Sequence, residues 1–143
     1  MKTLLIDDHP LFREGLAMVM TQAFPQLKLH QAGDMNEALA RIAEQGDIAL
    51  ALLDLNLPDS SGLQGLQRLR EQAPQIRVVV LSADETSETV LSAIDAGAAG
   101  FIPKTSRLGV MQEALRVVLD GGVYLPESIL HASAAPPASN GAA

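Results

Sequence analysis

The chain has 143 residues, 48% of them apolar and 19% charged, with a formal net charge of −7 and no cysteine. That is enough for one domain with a real hydrophobic core, and the composition is globular rather than disordered. The acidic balance argues against this chain binding a nucleic acid backbone or an anionic membrane by its own field, and the missing cysteines exclude disulfides, thiolate metal sites and thiol nucleophiles.

The opening MKTLLI (1–6) starts like a signal peptide, but Asp7 and Asp8 cut the apolar run short. No stretch approaches the length of a membrane span, so a cytoplasmic domain without membrane contact is expected. TLLI (3–6) reads as a strand, and LFREGLAMVMTQAF (11–24) as a helix with Phe12, Leu16, Val19 and Ala23 at helical spacing. LKLHQAG (27–33) is a weaker, alternating strand. A helix over 35–45 follows, with Ala38, Leu39 and Ile42 on one face and Gly46 as its stop.

IALALLD (48–54) is apolar almost throughout, as suits a central strand covered on both faces. GLQGLQRLREQ (62–72) spaces Leu63, Leu66 and Leu69 as a helix ended by Pro74. RVVVLSA (77–83) is a second buried strand. ETSETVLSAIDAG (85–97) is a helix with Val90, Leu91 and Ile94 inward, and AGFIPK (99–104) a short strand. SRLGVMQEALRVVLDGG (106–122) closes the series with Leu108, Met111, Leu115 and Val118 as its buried stripe.

Five strand–helix units in a row predict a parallel sheet with helices on both faces, because parallel strands need right-handed crossovers. From about Ala132 the Ala, Pro, Ser and Gly content is that of a flexible tether. The expected organisation is one folded domain over 1–122 and a linker over 123–143.

In such sheets ligands bind beyond the carboxyl ends of the strands. Asp7 and Asp8 end the first strand, Asp54 the third and Ser82 the fourth, and Lys104 follows the fifth. Singly, Asp8 fits a cap of the next helix, Asp54 an Asx turn, Ser82 a cap and Lys104 a solvated charge. Together they bring three carboxylates, a hydroxyl and an ammonium to one edge. Each like-charge pair at a few Å costs on the order of 4 kcal/mol at an effective dielectric near 20, which calls for a cation. An all-oxygen set suits Mg²⁺ better than Zn²⁺, and His9, just before Pro10, is expected on the loop surface rather than on a metal. A carboxylate beside Mg²⁺ and a lysine is equipped to accept a phosphoryl group, with Asp54 as the nucleophile.

LLIDDHPLFREGL and LLDLNLPDSSGL, with the ordered set of acid pair, lone Asp, Ser and Lys, resemble the receiver domain of bacterial two-component response regulators, in the branch with LuxR/NarL-type output domains. The resemblance runs from Met1 to about Gly122. It implies a flavodoxin-like doubly wound (βα)5 fold with strand order 2-1-3-4-5. It makes Asp7 and Asp8 the metal-binding pair, Asp54 the phosphoacceptor, and Asn56 the donor of a backbone carbonyl to Mg²⁺. Ser82 and Lys104 would bind the phosphoryl oxygens, Phe101 would be the aromatic switch, and Asn56 and Asp84 would tune acyl-phosphate hydrolysis. Pro58 and Gly62 match the loop after the acceptor. The implied partners are a sensor histidine kinase, a possible second copy of the chain, and DNA only through an output domain absent from these residues. The chain would be no enzyme beyond its own phosphoryl uptake and hydrolysis.

Two positions depart from the family pattern. Thr105 rather than proline follows the lysine, so no cis Lys–Pro bond is expected. Phe101 stands where tyrosine is common, without a phenolic hydroxyl.

Other readings are a stand-alone or phosphorylation-independent interaction module, an aspartate-nucleophile phosphatase of the haloacid-dehalogenase type, and a flavodoxin. The first would be expected to have lost part of the acid set. The second needs an acid two residues after the nucleophile, where Asn56 stands. The third needs a neutral phosphate loop where DDHP is acidic.

Overall fold

The computed structural model describes residues 1–126 and Ile129. The elements are β1 (Lys2–Ile6), α1 (Pro10–Ala23), β2 (Lys28–Ala32), α2 (Met35–Gln45), β3 (Ile48–Asp54), β4 (Asn56–Leu57), β5 (Ser60–Ser61), α3 (Gln64–Gln72), β6 (Arg77–Ser82), α4 (Ser87–Asp95), β7 (Gly100–Pro103) and α5 (Leu108–Leu119). Five strands form one parallel sheet in the order β2-β1-β3-β6-β7. With the short antiparallel hairpin β4–β5 left out of the numbering, this is the 2-1-3-4-5 order of a flavodoxin-like doubly wound sheet.

The central strands explain the layering. Along β3, Leu50 and Leu52 face one way and Ala51 and Leu53 the other, and all four are buried. The first face packs on Leu16, Ala17 and Met20 of α1 and on Met111, Ala114, Leu115 and Val118 of α5. The second packs on Met35 and Ala38 of α2, Leu66 and Leu69 of α3, and Val90 and Ala93 of α4. A strand covered on both sides has no solvated face to pattern with polar residues, hence its unbroken apolar run. Each such leucine stabilises the fold by about 1.5–3 kcal/mol relative to exposure.

Two expected core positions face water instead. Leu91 is 54% exposed and Leu108 57%. Leu91 lies about 100° around α4 from Val90, and Ala93, one turn on from Val90, takes the inward position. Leu108 is the first residue of α5, where side chains lean back past the helix end, so the buried stripe starts at Met111.

Gly46 closes α2 at φ 59°, and Gly62 takes φ 56° in the turn before α3; both are backbone conformations that favour glycine. There is no cis peptide among the described residues, in keeping with Thr105 after the lysine. Past Gly122, where a linker was expected to begin, the chain still packs on the domain. The Tyr124 carbonyl accepts the Phe101 N–H at 2.9 Å, and Ile129 is buried in the core. The tether expected from Ala132 lies outside the described residues. No helix among the described residues is long and apolar enough to cross a membrane.

The start of α2 bears on the site. A helix leaves its first N–H groups without intrahelical partners. Here Asp34 accepts from Glu37 N at 2.7 Å, while Asp59 accepts from Met35 N at 2.9 Å and Asn36 N at 3.0 Å. Asp59 belongs to the β4–β5 turn, so it pins the hairpin after β3 to the start of the helix that precedes β3. Desolvation works against its charge, but the Met35 and Asn36 N–H donors outweigh it and, with Arg68 nearby, hold the carboxyl below its usual range. Asp59→Ala is expected to cost about 1 kcal/mol in urea unfolding at pH 7. A lowered acid stabilises above its unfolded pKa, so this difference should fade as the pH falls through the lowered folded value.

Candidate functional site

The carboxyl ends of β1, β3, β6 and β7 converge on one pocket. Asp7 is fully buried just past β1, and Asp54, the last residue of β3, is 2% exposed. The Lys104 ammonium reaches back from β7 to lie 2.9 Å from Asp7 Oδ2 and 3.2 Å from Asp54 Oδ2. It also lies 4.6 Å from the centroid of the Phe12 ring, a cation–π contact that walls one side. Asp54 Oδ1 accepts the Asn56 N–H at 3.0 Å, the Asx-turn contact. Burial is the main influence on Asp54 and pushes its carboxyl up; Asn56 N–H and Lys104 work the other way, and the neighbouring Asp7 adds to the rise.

Asp8 does not cap α1. The residue at the N-cap is His9, and no side chain caps that helix. His9 lies on the surface loop between β1 and α1, as expected. Its ring is 54% exposed, but Nδ1 points into the pocket, 3.0 Å from Asp7 Oδ1, 3.3 Å from Asp8 Oδ1, 3.5 Å from Asp54 Oδ2 and 2.9 Å from Lys104 Nζ.

Ser82 is buried at the end of β6, where its Oγ accepts the Asp84 N–H at 3.0 Å. Ser82, Asn56 and Asp84 line an adjoining cleft of about 350 Å³. The Asp84 carboxylate is engaged at the start of α4. It accepts from Thr86 N at 3.1 Å and Thr89 Oγ1 at 2.8 Å, and these hydrogen bonds hold its carboxyl low.

Asp54, the Asp7–Asp8 pair and Lys104 therefore share one sheet edge, with Ser82 at the neighbouring strand end. Residues 3–116 match the response regulator receiver domain family. The chain belongs to that family. The receiver domain is 45% identical over 129 residues to the glycerol metabolism activator of Pseudomonas putida, covering 90% of this chain and 58% of that protein. It is 35% identical over 126 residues to the nitrate/nitrite response regulator NarL of Escherichia coli K12, covering 88% and 58%. The crystal structure of a LuxR family DNA-binding response regulator from Silicibacter pomeroyi aligns with a TM-score of 0.79 at 32% identity, over 89% of this chain and 98% of that one. These relatives put the receiver domain in the NarL/LuxR-type branch. It spans 58% of the length of each of the two regulators named first.

The pocket of the receiver domain suits a hard divalent cation. Carboxylate oxygens of Asp7, Asp8 and Asp54 and a nitrogen of His9 all lie within 4.8 Å of one another. Asp7 Oδ2 is buried and makes no hydrogen bond, and the lysine ammonium lies 2.9 Å from it. Phe101 stands apart from this cluster. It is fully buried beside Val80 of β6, on the α2–α3–α4 side, so the receiver domain here holds its aromatic inward.

The hairpin and the Asp59 clamp were not expected from the sequence. Two-residue strands are too short for periodicity to register, and the only local trace is the Pro58–Asp59 turn pair.

Proposed function

We propose that this receiver is phosphorylated on Asp54 by a phosphohistidine of a sensor kinase, or by a small acyl phosphate, and that the modification switches its contacts with partner surfaces. The observation that carries the reading is the Asp54–Lys104 pair: a buried carboxylate at the end of the central strand, 3.2 Å from a partly buried ammonium within an acid pocket. Asp7, Asp8, Asp54 and the Asn56 carbonyl would hold Mg²⁺, which when bound offsets charge on the phosphoryl oxygens.

The chain's own groups do the rest. An Asp54 oxygen attacks phosphorus, the P–N bond of the phosphohistidine breaks, and the imidazole leaves with the bond pair. The product is an aspartyl phosphate. Lys104, already placed by Asp7 and Phe12, exchanges its Asp54 contact for a phosphoryl oxygen, and the Ser82 hydroxyl can donate to another. The Lys104 backbone N–H already donates to the Ser82 carbonyl at 2.9 Å, so the ends of β6 and β7 move together. Asn56 and Asp84, on the same cleft as Ser82, tune how long the phosphoryl group lasts.

The chain is in this reading no enzyme beyond its own modification and its reversal. It acts from the cytoplasm, as a single copy or a dimer, on transcription through a DNA-binding output domain. The names of its relatives, an activator and a DNA-binding regulator, support that last step.

Intact mass after incubation with acetyl phosphate and Mg²⁺ tests the reading. One phosphoryl group is expected on the native chain and none on Asp54→Asn, and the decay of that mass peak reads the part of Asn56 and Asp84. Uptake by the Asn variant, or none by the native chain, would overturn the assignment.

A further inference from the structure

We infer that the stretch after α5 is a strap on the outer edge of β7, and that phosphorylation of Asp54 loosens it, freeing the chain where it leaves the domain. That role rests on the proposed reading of Asp54 and adds the route by which the state of the pocket reaches the far edge of the sheet.

β7 is the last strand of the sheet, so the sheet itself leaves its outer edge open. Backbone donors alternate sides along a strand. The Lys104 N–H points inward to the Ser82 carbonyl, so Phe101 and Pro103 face outward, and proline has no N–H to offer. The Phe101 N–H is therefore the donor that an open edge would leave to solvent. It goes instead to the Tyr124 carbonyl at 2.9 Å, and Gly100 and Tyr124 form a parallel β-bridge. Glycine is what permits so close an approach. A Cβ at Gly100 would stand 3.2 Å from the Tyr124 carbonyl oxygen and 3.3 Å from its nitrogen, tighter than side chains normally tolerate. Covering an edge with a short segment also keeps it from pairing with other chains.

The strap is fastened at both ends. At its base Arg77, the first residue of β6, donates to the carbonyls of Val118 and Gly122, the latter at 2.8 Å, which fixes where the chain leaves α5. At its tip Ile129 is 3% exposed and belongs to the same core cluster as Phe101, Val90 and Ala93. Its N–H donates to the carbonyl of the buried Pro126 at 3.0 Å. The strap thus holds Phe101 by the backbone and shares a core with its ring.

Lys104 joins this edge to the pocket. Phe101 lies three residues before it, about 10 Å along an extended strand. When the ammonium gives up Asp54 for a phosphoryl oxygen, the pull on the end of β7 changes, and a strand of four residues passes the shift to Gly100 and Phe101. The contact at Gly100 has no slack to absorb it, so the strap lets go there. The Arg77 base, at the start of β6 and away from the pocket, holds.

Amide exchange of the full chain, read by NMR, tests this. Phe101 N–H reports the strap, and Leu52 N–H, in a strand paired on both sides, reports opening of the whole domain. Acetyl phosphate with Mg²⁺ is expected to speed Phe101 exchange about 10-fold or more relative to Leu52 in the native chain, and to leave it unchanged in Asp54→Asn. Gly100→Ala should produce that acceleration with no phosphodonor. Ile129→Ser, which leaves β7 itself unaltered, should act alike, and both variants should still gain one phosphoryl group by intact mass. A phosphorylated native chain with unchanged Phe101 exchange would overturn the inference and leave Asp54 as the acceptor. Phe101 exchange indifferent to both Gly100→Ala and Ile129→Ser would do the same. No phosphoryl uptake by the native chain would overturn the inference together with the reading it rests on.

Discussion

Lys104→Met is expected to destabilise the receiver by about 3–5 kcal/mol at neutral pH, because it strips the ammonium from two buried carboxylates that lie against it. The native pair gains little net stability from its attraction, since desolvating both partners offsets most of it. Removing one partner is different: Asp7 and Asp54 keep their burial and lose their counter-charge. The pH dependence separates this cause from lost packing. Burial already holds the Asp54 carboxyl above its ordinary 3.8, and losing Lys104 raises it further. An acid whose folded pKa is raised takes up a proton on folding between the two values. Its penalty is therefore complete above the raised value, shrinks as the pH falls through it, and is gone below the unfolded one. Urea unfolding at pH 7 and pH 5 should show the deficit shrinking at the lower pH. A deficit constant across that range would mean that the methylene stem, and not the charge, is what the fold loses.

Phe101→Ala is expected to cost about 3–5 kcal/mol, a large share of the 5–15 kcal/mol typical of a whole domain. The ring is fully buried at the register position of Val80, one of the largest side chains the core encloses. Phe101→Leu should recover most of the loss, since it refills most of the volume without a polar atom. Chemical unfolding of both variants checks the order. If Ala and Leu proved equally and mildly destabilising, the ring would not be the packed residue described here. With no hydroxyl on the ring, nothing at its tip favours an outward, solvated position, and burial decides where it rests.

The sheet and its helices were legible because their signals are long. IALALLD coincides with β3 to the residue, and Gly46 closes α2 as its position suggested. The strand-end rule also located Asp7, Asp54, Ser82 and Lys104 from a pattern that needs no contacts, only alternation and direction. What escaped depends on meetings across the chain. Asp59 reaches Met35 and Asn36 more than twenty positions away, and nothing near Pro58 names that partner. His9 is a lone histidine before a proline in the sequence, and its contact with the Lys104 ammonium, ninety-five positions on, leaves no local trace there. Leu91 and Leu108 show the limit of periodicity itself, which gives a helix its face but not the angle at which that face meets the sheet.

The reach of Lys104 has a mechanical side. Neighbouring strands stand about 4.8 Å apart, and the sheet order sets β7 two strands from β3 and three from β1. One flexible side chain thus acts as a tie rod across most of the sheet's upper rim, anchored at its far end on two carboxylates and at its base by the Ser82 carbonyl. Twisted strands fan outward at their ends, and this tie draws the fan in. Whatever takes the ammonium from either carboxylate slackens it. Under the proposed phosphorylation, the rim would then widen where the tie is released, and loops that carry none of the chemistry would move with it.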